Sequence, residues 1–161
     1  MVGIGLRVYS NSIIYYSIIE QKHDGSLQLL NISNLKTPKS TNFPEALSYI
    51  RSTLNDILSE YKVSSGVVRL PEQLRSIRKS SIERFYIEGV ILETLASSKV
   101  GKYLGAQISE LTNVGGIPKK SFKKLADGEI EFDYDFENVT WKKLKGEERE
   151  SIIAAYASLK L

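Results

Sequence analysis

Among side chains that do chemistry, this 161-residue sequence has no cysteine and one histidine, His23. Disulfides, thiolate nucleophiles, Cys-His zinc sites and multi-histidine metal sites are therefore excluded. His23 stands beside Asp24-Gly25, a turn-forming pair, which argues against a Ser-His-Asp triad built on a buried histidine. Any reaction must rest on carboxylates, lysines or hydroxyls. Glu88 and Glu93 fall in one helical stretch but are five apart, so they share no face, and Glu93 reads as a solvated surface acid. Basic residues gather twice, at Arg75, Arg78 and Lys79 and again at Lys119, Lys120, Lys123 and Lys124. The second group follows Gly115-Gly116, whose backbone amides, ahead of a basic helix, are of the kind that receives a phosphate. Phe122 is the one aromatic nearby, so backbone- or shape-directed binding is expected over base stacking. Solvated faces of ordinary charge account for the same residues equally well.

The charge is unevenly spread. Residues 1–70 carry seven basic against five acidic residues, residues 71–125 ten against five, and residues 126–161 five against nine. A middle third at +5 can attract DNA or RNA. Hydrophobic content of 42% and charged content of 25% fit a soluble globular chain, long enough for one domain spanning residues 1–161. No apolar run reaches the roughly 18 residues of a membrane span. The opening residues lack the pattern of an export signal, so the cytoplasm is the expected compartment and no membrane partner is expected.

The elements that must position these groups begin with residues 2–9. There Val2, Ile4, Leu6 and Val8 alternate with Gly3, Gly5, Arg7 and Tyr9, the period of a strand with unlike faces. Glycines at 3 and 5 point to close approach of another backbone or a ligand, or to room for a packed helix. Strands are predicted over 12–21 and 26–33, joined by Asp24-Gly25, which makes a three-strand antiparallel meander. A helix over 43–61, capped by Thr41 or Asn42, carries apolar residues at three- and four-residue spacing. Further strands are predicted over 64–70 and 102–109, with a helix over 80–98 between them. Gly89 inside that helix suggests a close crossing onto the sheet. A loop at 113–118, a short basic helix at 119–125 and a final helix at 146–159 follow. Residues 126–142 alternate acids with aromatics, as an extra strand or an acidic loop does, and 132–141 is a candidate protein contact. The fold class is α/β, a mixed five-stranded sheet of a meander plus two further strands, with helices on both faces.

This order resembles the ribonuclease H-like fold, and within it the Holliday-junction resolvase (RuvC-like) branch. Gly3-Ile4-Gly5-Leu6-Arg7-Val8 resembles the resolvase opening, where Gly-Ile precedes a catalytic aspartate. Glu88-Gly89-Val90-Ile91-Leu92 is similar to a stretch of the helix after the fourth strand, and residues 148–155 resemble the acid-rich start of the last helix. The resemblance implies two divalent ions held by three or four carboxylates. Matched to that pattern, the first aspartate falls on Gly5, the fourth-strand glutamate on Arg69 and the last acid on Ser151. An arginine beside a metal site repels the cation. Glu88 is expected to face the former metal site or to pair with Arg69.

The leading expectation is a non-catalytic ribonuclease H-like domain that binds nucleic acid or assembles with a protein partner or a second copy. It needs no cofactor. One alternative is a nuclease using Mg²⁺ or Mn²⁺ on relocated acids, Glu72, Glu88 and Glu148. Another is an actin-like nucleotide-binding domain, although Gly3-Ile4-Gly5 lacks the Asp-x-Gly such a phosphate loop needs.

Overall fold

Alternation of large and absent side chains makes β1 (Val2–Val8) the two-faced centre of the sheet. The computed structural model describes residues 1–161 except Asn11, Ser40, Thr41, residues 73–77, Tyr134, Asp135, Glu137 and Asn138. Next to β1 lies β2 (Ile13–Gln21), antiparallel, and beyond it β3 (Leu27–Lys36), also antiparallel. On the other side β4 (Ser65–Arg69) and β5 (Lys102–Ala106) run parallel to β1, giving the order β3-β2-β1-β4-β5. Gly25, at φ +84°, closes the β2–β3 hairpin, in which the Lys22 N–H donates to the Ser26 carbonyl at 2.9 Å.

Helices cover both faces. On one, α1 (Phe43–Glu60) and α2 (Lys79–Ser97) rest on Ile4, Leu6, Val8, Ile14 and Ile18 through Ile50, Leu54, Ile87, Ile91 and Leu95. The Asn42 side chain caps α1, accepting the Glu45 N–H at 3.0 Å. The opposite face holds α3 (Ile108–Gly115), α4 (Lys119–Asp127) and α5 (Gly146–Ser158) around Leu111, Phe122, Leu125, Ile152 and Ile153. Here α5 lies directly on β1. A Cβ added to Gly5 would stand 2.0 Å from the Ser151 carbonyl oxygen and 2.1 Å from the Ala155 nitrogen, and one on Gly3 2.2 Å from Ser158 Oγ. The glycines therefore admit a helix whose contact stripe is itself small: Ser151, Ala154, Ala155 and Ser158.

Three local expectations change, and for residues 126–142 the loop alternative holds. Residues 108–115 form α3, although they read as strand end and loop. Gly116, at φ +65°, terminates α3; its N–H donates to the Asn113 carbonyl and that of Ile117 to the Thr112 carbonyl, so these amides cap a helix and are not offered to a phosphate. Gly89 makes no close crossing, since a Cβ there would meet nothing within 4 Å. Among the described residues, 126–142 contain no strand. Phe136 and Trp141 are buried, and Phe132 stacks on both at ring distances of 6.4 and 5.5 Å, so these aromatics complete the core under α5.

Candidate functional site

The parallel strands β1 and β4 end side by side with Arg7 opposite Arg69 in register. Partners in register project to one face, so two guanidinium stems rise together at the carboxyl ends of the strands. This is also where neighbours of β1 change from the meander to the crossover strands, the usual place for ligands in open α/β sheets. The face is that of Gly3 and Gly5, and the stripe of α5 that covers them leads, one turn back, to Glu150. Its Oε2 stands 2.7 Å from Arg7 Nε and 3.3 Å from Arg69 Nε.

Other elements close the group. Glu72, after β4, lies 3.6 Å from Arg69 Nη1 and accepts the Ile108 N–H at the start of α3 at 2.9 Å. From α2, Arg84 Nε donates to Glu88 Oε1 at 2.8 Å. The ring of Phe122 on α4 packs under the Arg69 guanidinium at 5.6 Å. Arg69 is 4% exposed and Glu88 4%. Burial lowers the pKa of both Arg7 and Arg69; Glu150 opposes that shift, and the other arginines reinforce it. Burial likewise raises the Glu88 carboxyl, against the pull of Arg84.

A pair of divalent ions does not fit this donor set. Glu150 is committed to two cations, Glu72 to a cation and a helix amide, and Glu88 to Arg84. Among the described residues no three acidic or histidine side chains converge. The three relocated acids are also not brought together. Glu72 and Glu88 border the same arginines, whereas Glu148 accepts the Lys145 N–H at 2.7 Å in the capping box of α5.

The remaining expected positions are distributed as follows. Gly5 lies under the α5 backbone, and buried Ser151 shares a 2.6 Å hydrogen bond with Ser17. Glu88 pairs with Arg84 in place of Arg69, and Glu93 lies half-exposed, 3.4 Å from Arg51. Arg78, Lys79, Lys119, Lys120, Lys123 and Lys124 are exposed on the elements flanking the strand ends, α2 and α4. Arg75 lies outside the described residues. Sequence reasoning missed Glu150 and Arg84. The four-residue spacing of Arg84 and Glu88 was a signal for one. The small-residue stripe of α5, extended one turn, was a signal for the other.

Solved structures share this fold. RuvC of Thermus thermophilus in complex with a Holliday junction substrate superposes with a TM-score of 0.72 at 12% identity, covering 99% of this chain and 94% of that one. Another T. thermophilus RuvC structure gives 0.70 at 12% identity over the same shares. The yeast mitochondrial Holliday junction resolvase Ydc2 gives 0.64 at 15% identity, over 98% of this chain and 77% of that one. No family model matches the chain, and no curated protein matches its sequence. The chain has the ribonuclease H-like fold in its RuvC-like form.

Proposed function

We infer that this chain is a non-catalytic RuvC-like module that holds nucleic acid by its backbone. The observation that carries this reading is the in-register pair Arg7 and Arg69, with Glu150 between them, at the strand ends. A group of that composition repels divalent ions and attracts phosphates. Its surroundings favour a polyanion. Phe122 seats α4 against Arg69, while Lys119, Lys120, Lys123 and Lys124 face solvent, and α2 begins with exposed Arg78 and Lys79. The resolvase neighbour in complex with a Holliday junction substrate supports the choice of DNA over other polyanions.

The test is electrophoretic retention of branched, duplex and single-stranded DNA and RNA, with and without Mg²⁺ or Mn²⁺. Retention at low salt, weakening steeply as salt rises and lost when the four α4 lysines become Glu, is expected. Cleavage that saturates with metal would overturn the reading in favour of a nuclease.

A second reading, assembly, rests on the outer face of α1 and α2. Ile82, Phe85 and Tyr86 are 43%, 43% and 58% exposed there, beside open space at Gly89. The same patch carries one cation and one anion, Arg51 and Glu93. A two-fold axis would pair each with its counterpart, so a second copy of the chain is the proposed occupant. Analytical ultracentrifugation should show a dimer that Tyr86→Glu dissociates; a monomer at all concentrations removes this reading.

A further inference from the structure

We propose that Arg7, Arg69 and Arg84 form a receptor for a phosphodiester oxyanion, whose place the Glu150 carboxylate takes in the free protein. The inference rests on the nucleic-acid reading and assigns that reading a specific phosphate contact. Its basis is an imbalance of buried hydrogen-bonding groups. Among the described residues, Arg7 Nε, Arg69 Nε and Nη1, and Arg84 Nη2 are buried donors that make no hydrogen bond, and Arg7 Nε and Arg69 Nε share a single carboxylate oxygen, Glu150 Oε2, as ion-pair partner. Native interiors leave few such groups, and each is a place to look for a missing ligand. Arg69 is among the most enclosed charges of the chain, 4% exposed, and comes close to Glu150 and Glu72 without a hydrogen bond to either.

The missing partner is an acceptor, and its shape can be argued. Arg7 and Arg69 rise side by side from β1 and β4, whereas Arg84 comes from α2, so the forks do not lie in one plane. A planar carboxylate matches one guanidinium fork at a time. The tetrahedral oxygens of a phosphodiester can accept from several forks. Glu150 sits at the mouth of the group on the second turn of α5, its side chain 17% exposed, so a change of its rotamer clears the place. Glu72 is held aside by the Ile108 N–H and Glu88 by Arg84, which leaves Glu150 as the exchangeable anion. A metal-free contact of this kind binds a backbone without activating water.

The test follows the arginine Nε–H resonances by NMR while inorganic phosphate, and separately a short DNA duplex, is titrated in. Saturable shifts with both probes are expected. Glu150→Gln, which removes the competing charge, should tighten phosphate binding by about five-fold. Arg84→Gln, at the partly exposed edge of the group, should abolish the response while the fold persists. Absence of saturable shifts in both the wild type and Glu150→Gln would overturn the receptor, leaving an internal ion-pair cluster. The α4 lysine variant separates the two claims. Loss of duplex retention with phosphate shifts intact supports both. Duplex retention without any arginine response leaves the nucleic-acid reading standing and the receptor refuted. Phosphate shifts in a protein that never retains nucleic acid keep the receptor and assign its ligand to a free phosphate.

Discussion

The two faces of the sheet are built on opposite rules. Under α1 and α2 the sheet presents Ile4, Leu6 and Val8, and the layers are held apart by interlocking aliphatic side chains. Under α5 the same strand presents Gly3 and Gly5, and helix backbone meets strand backbone. The first face is a matter of volume, which several side-chain combinations can fill. The second is a matter of fit, which almost nothing but glycine satisfies. The charged group lies at the end of the fitted face. There the tight seating of α5 sets the backbone of Glu150 beside two arginines.

Substitutions at the two glycines should break this comparison most sharply. Gly5→Ala places a methyl group inside the Ser151 and Ala155 backbone, and either α5 or β1 must move. A loss of about 3 kcal/mol or more in urea unfolding is expected, or failure to fold. A loss under about 1 kcal/mol would mean that the contact is compliant.

Arg149 tests the fitted face from its other side. Its Nε donates to the Ala126 carbonyl at 2.7 Å, and its Nη1 to those of Trp141 and Leu144 at 3.2 and 2.6 Å. One buried cation thereby joins the end of α4, the 3-10 turn at Trp141–Lys143 and the approach to α5. Arg149→Met takes this donor from the Ala126 and Leu144 carbonyls, while that of Trp141 still accepts the Leu144 N–H, and should cost about 3 kcal/mol by the same measurement. An unchanged midpoint would show that water replaces the side chain.

On the open face the sign reverses. Gly89→Ala adds a helix-favouring residue into free space and should stabilise the monomer by about 1 kcal/mol. Destabilisation would indicate a neighbour at that position in solution.

The smallest effect concerns Glu88. Its folded pKa is raised above the ordinary 4.5, so the folded protein binds this proton more tightly than the unfolded chain. Its contribution to stability is then fully present below the ordinary value and is lost as pH rises through the raised one. Glu88→Gln should flatten the dependence of the unfolding midpoint on pH across that interval. Superimposable profiles for the two proteins would show that burial does not hold the proton there.

Much of this architecture was legible because it follows from periodicity. Alternation in 2–9, the Asp24-Gly25 turn and the spacing of Ile50, Leu54 and Ile57 located the sheet and α1. The α3 stretch Ile108–Gly115 was not, because its Ile, Thr and Val favour strands and Gln107 offers no side-chain cap. Gly89 misled because a glycine in a helix signals close approach only when something approaches. At the candidate site, Arg69 stood out as an unusual charge in an apolar strand. Glu150 did not, because counting along the resemblance led to Glu148 and Ser151. A helix turns by 100° per residue, so Glu148 faces away from Glu150. Charge networks drawn from four elements and a connecting segment leave no periodic trace in the chain.

Gly5 and Ser151 also fix an order of events. The helix that covers β1 follows it by well over a hundred residues; the buried Ser17–Ser151 bond spans 134 positions. During synthesis the hairpin of β1 and β2, and even the pairing with β4, can assemble while α5 is still inside the ribosome. Until α5 emerges, β1 presents a bare glycine furrow in the middle of a sheet. Such long-range closure slows folding and leaves the nascent domain open to misassembly. The segment that seats Glu150 is therefore also the one whose arrival completes the domain.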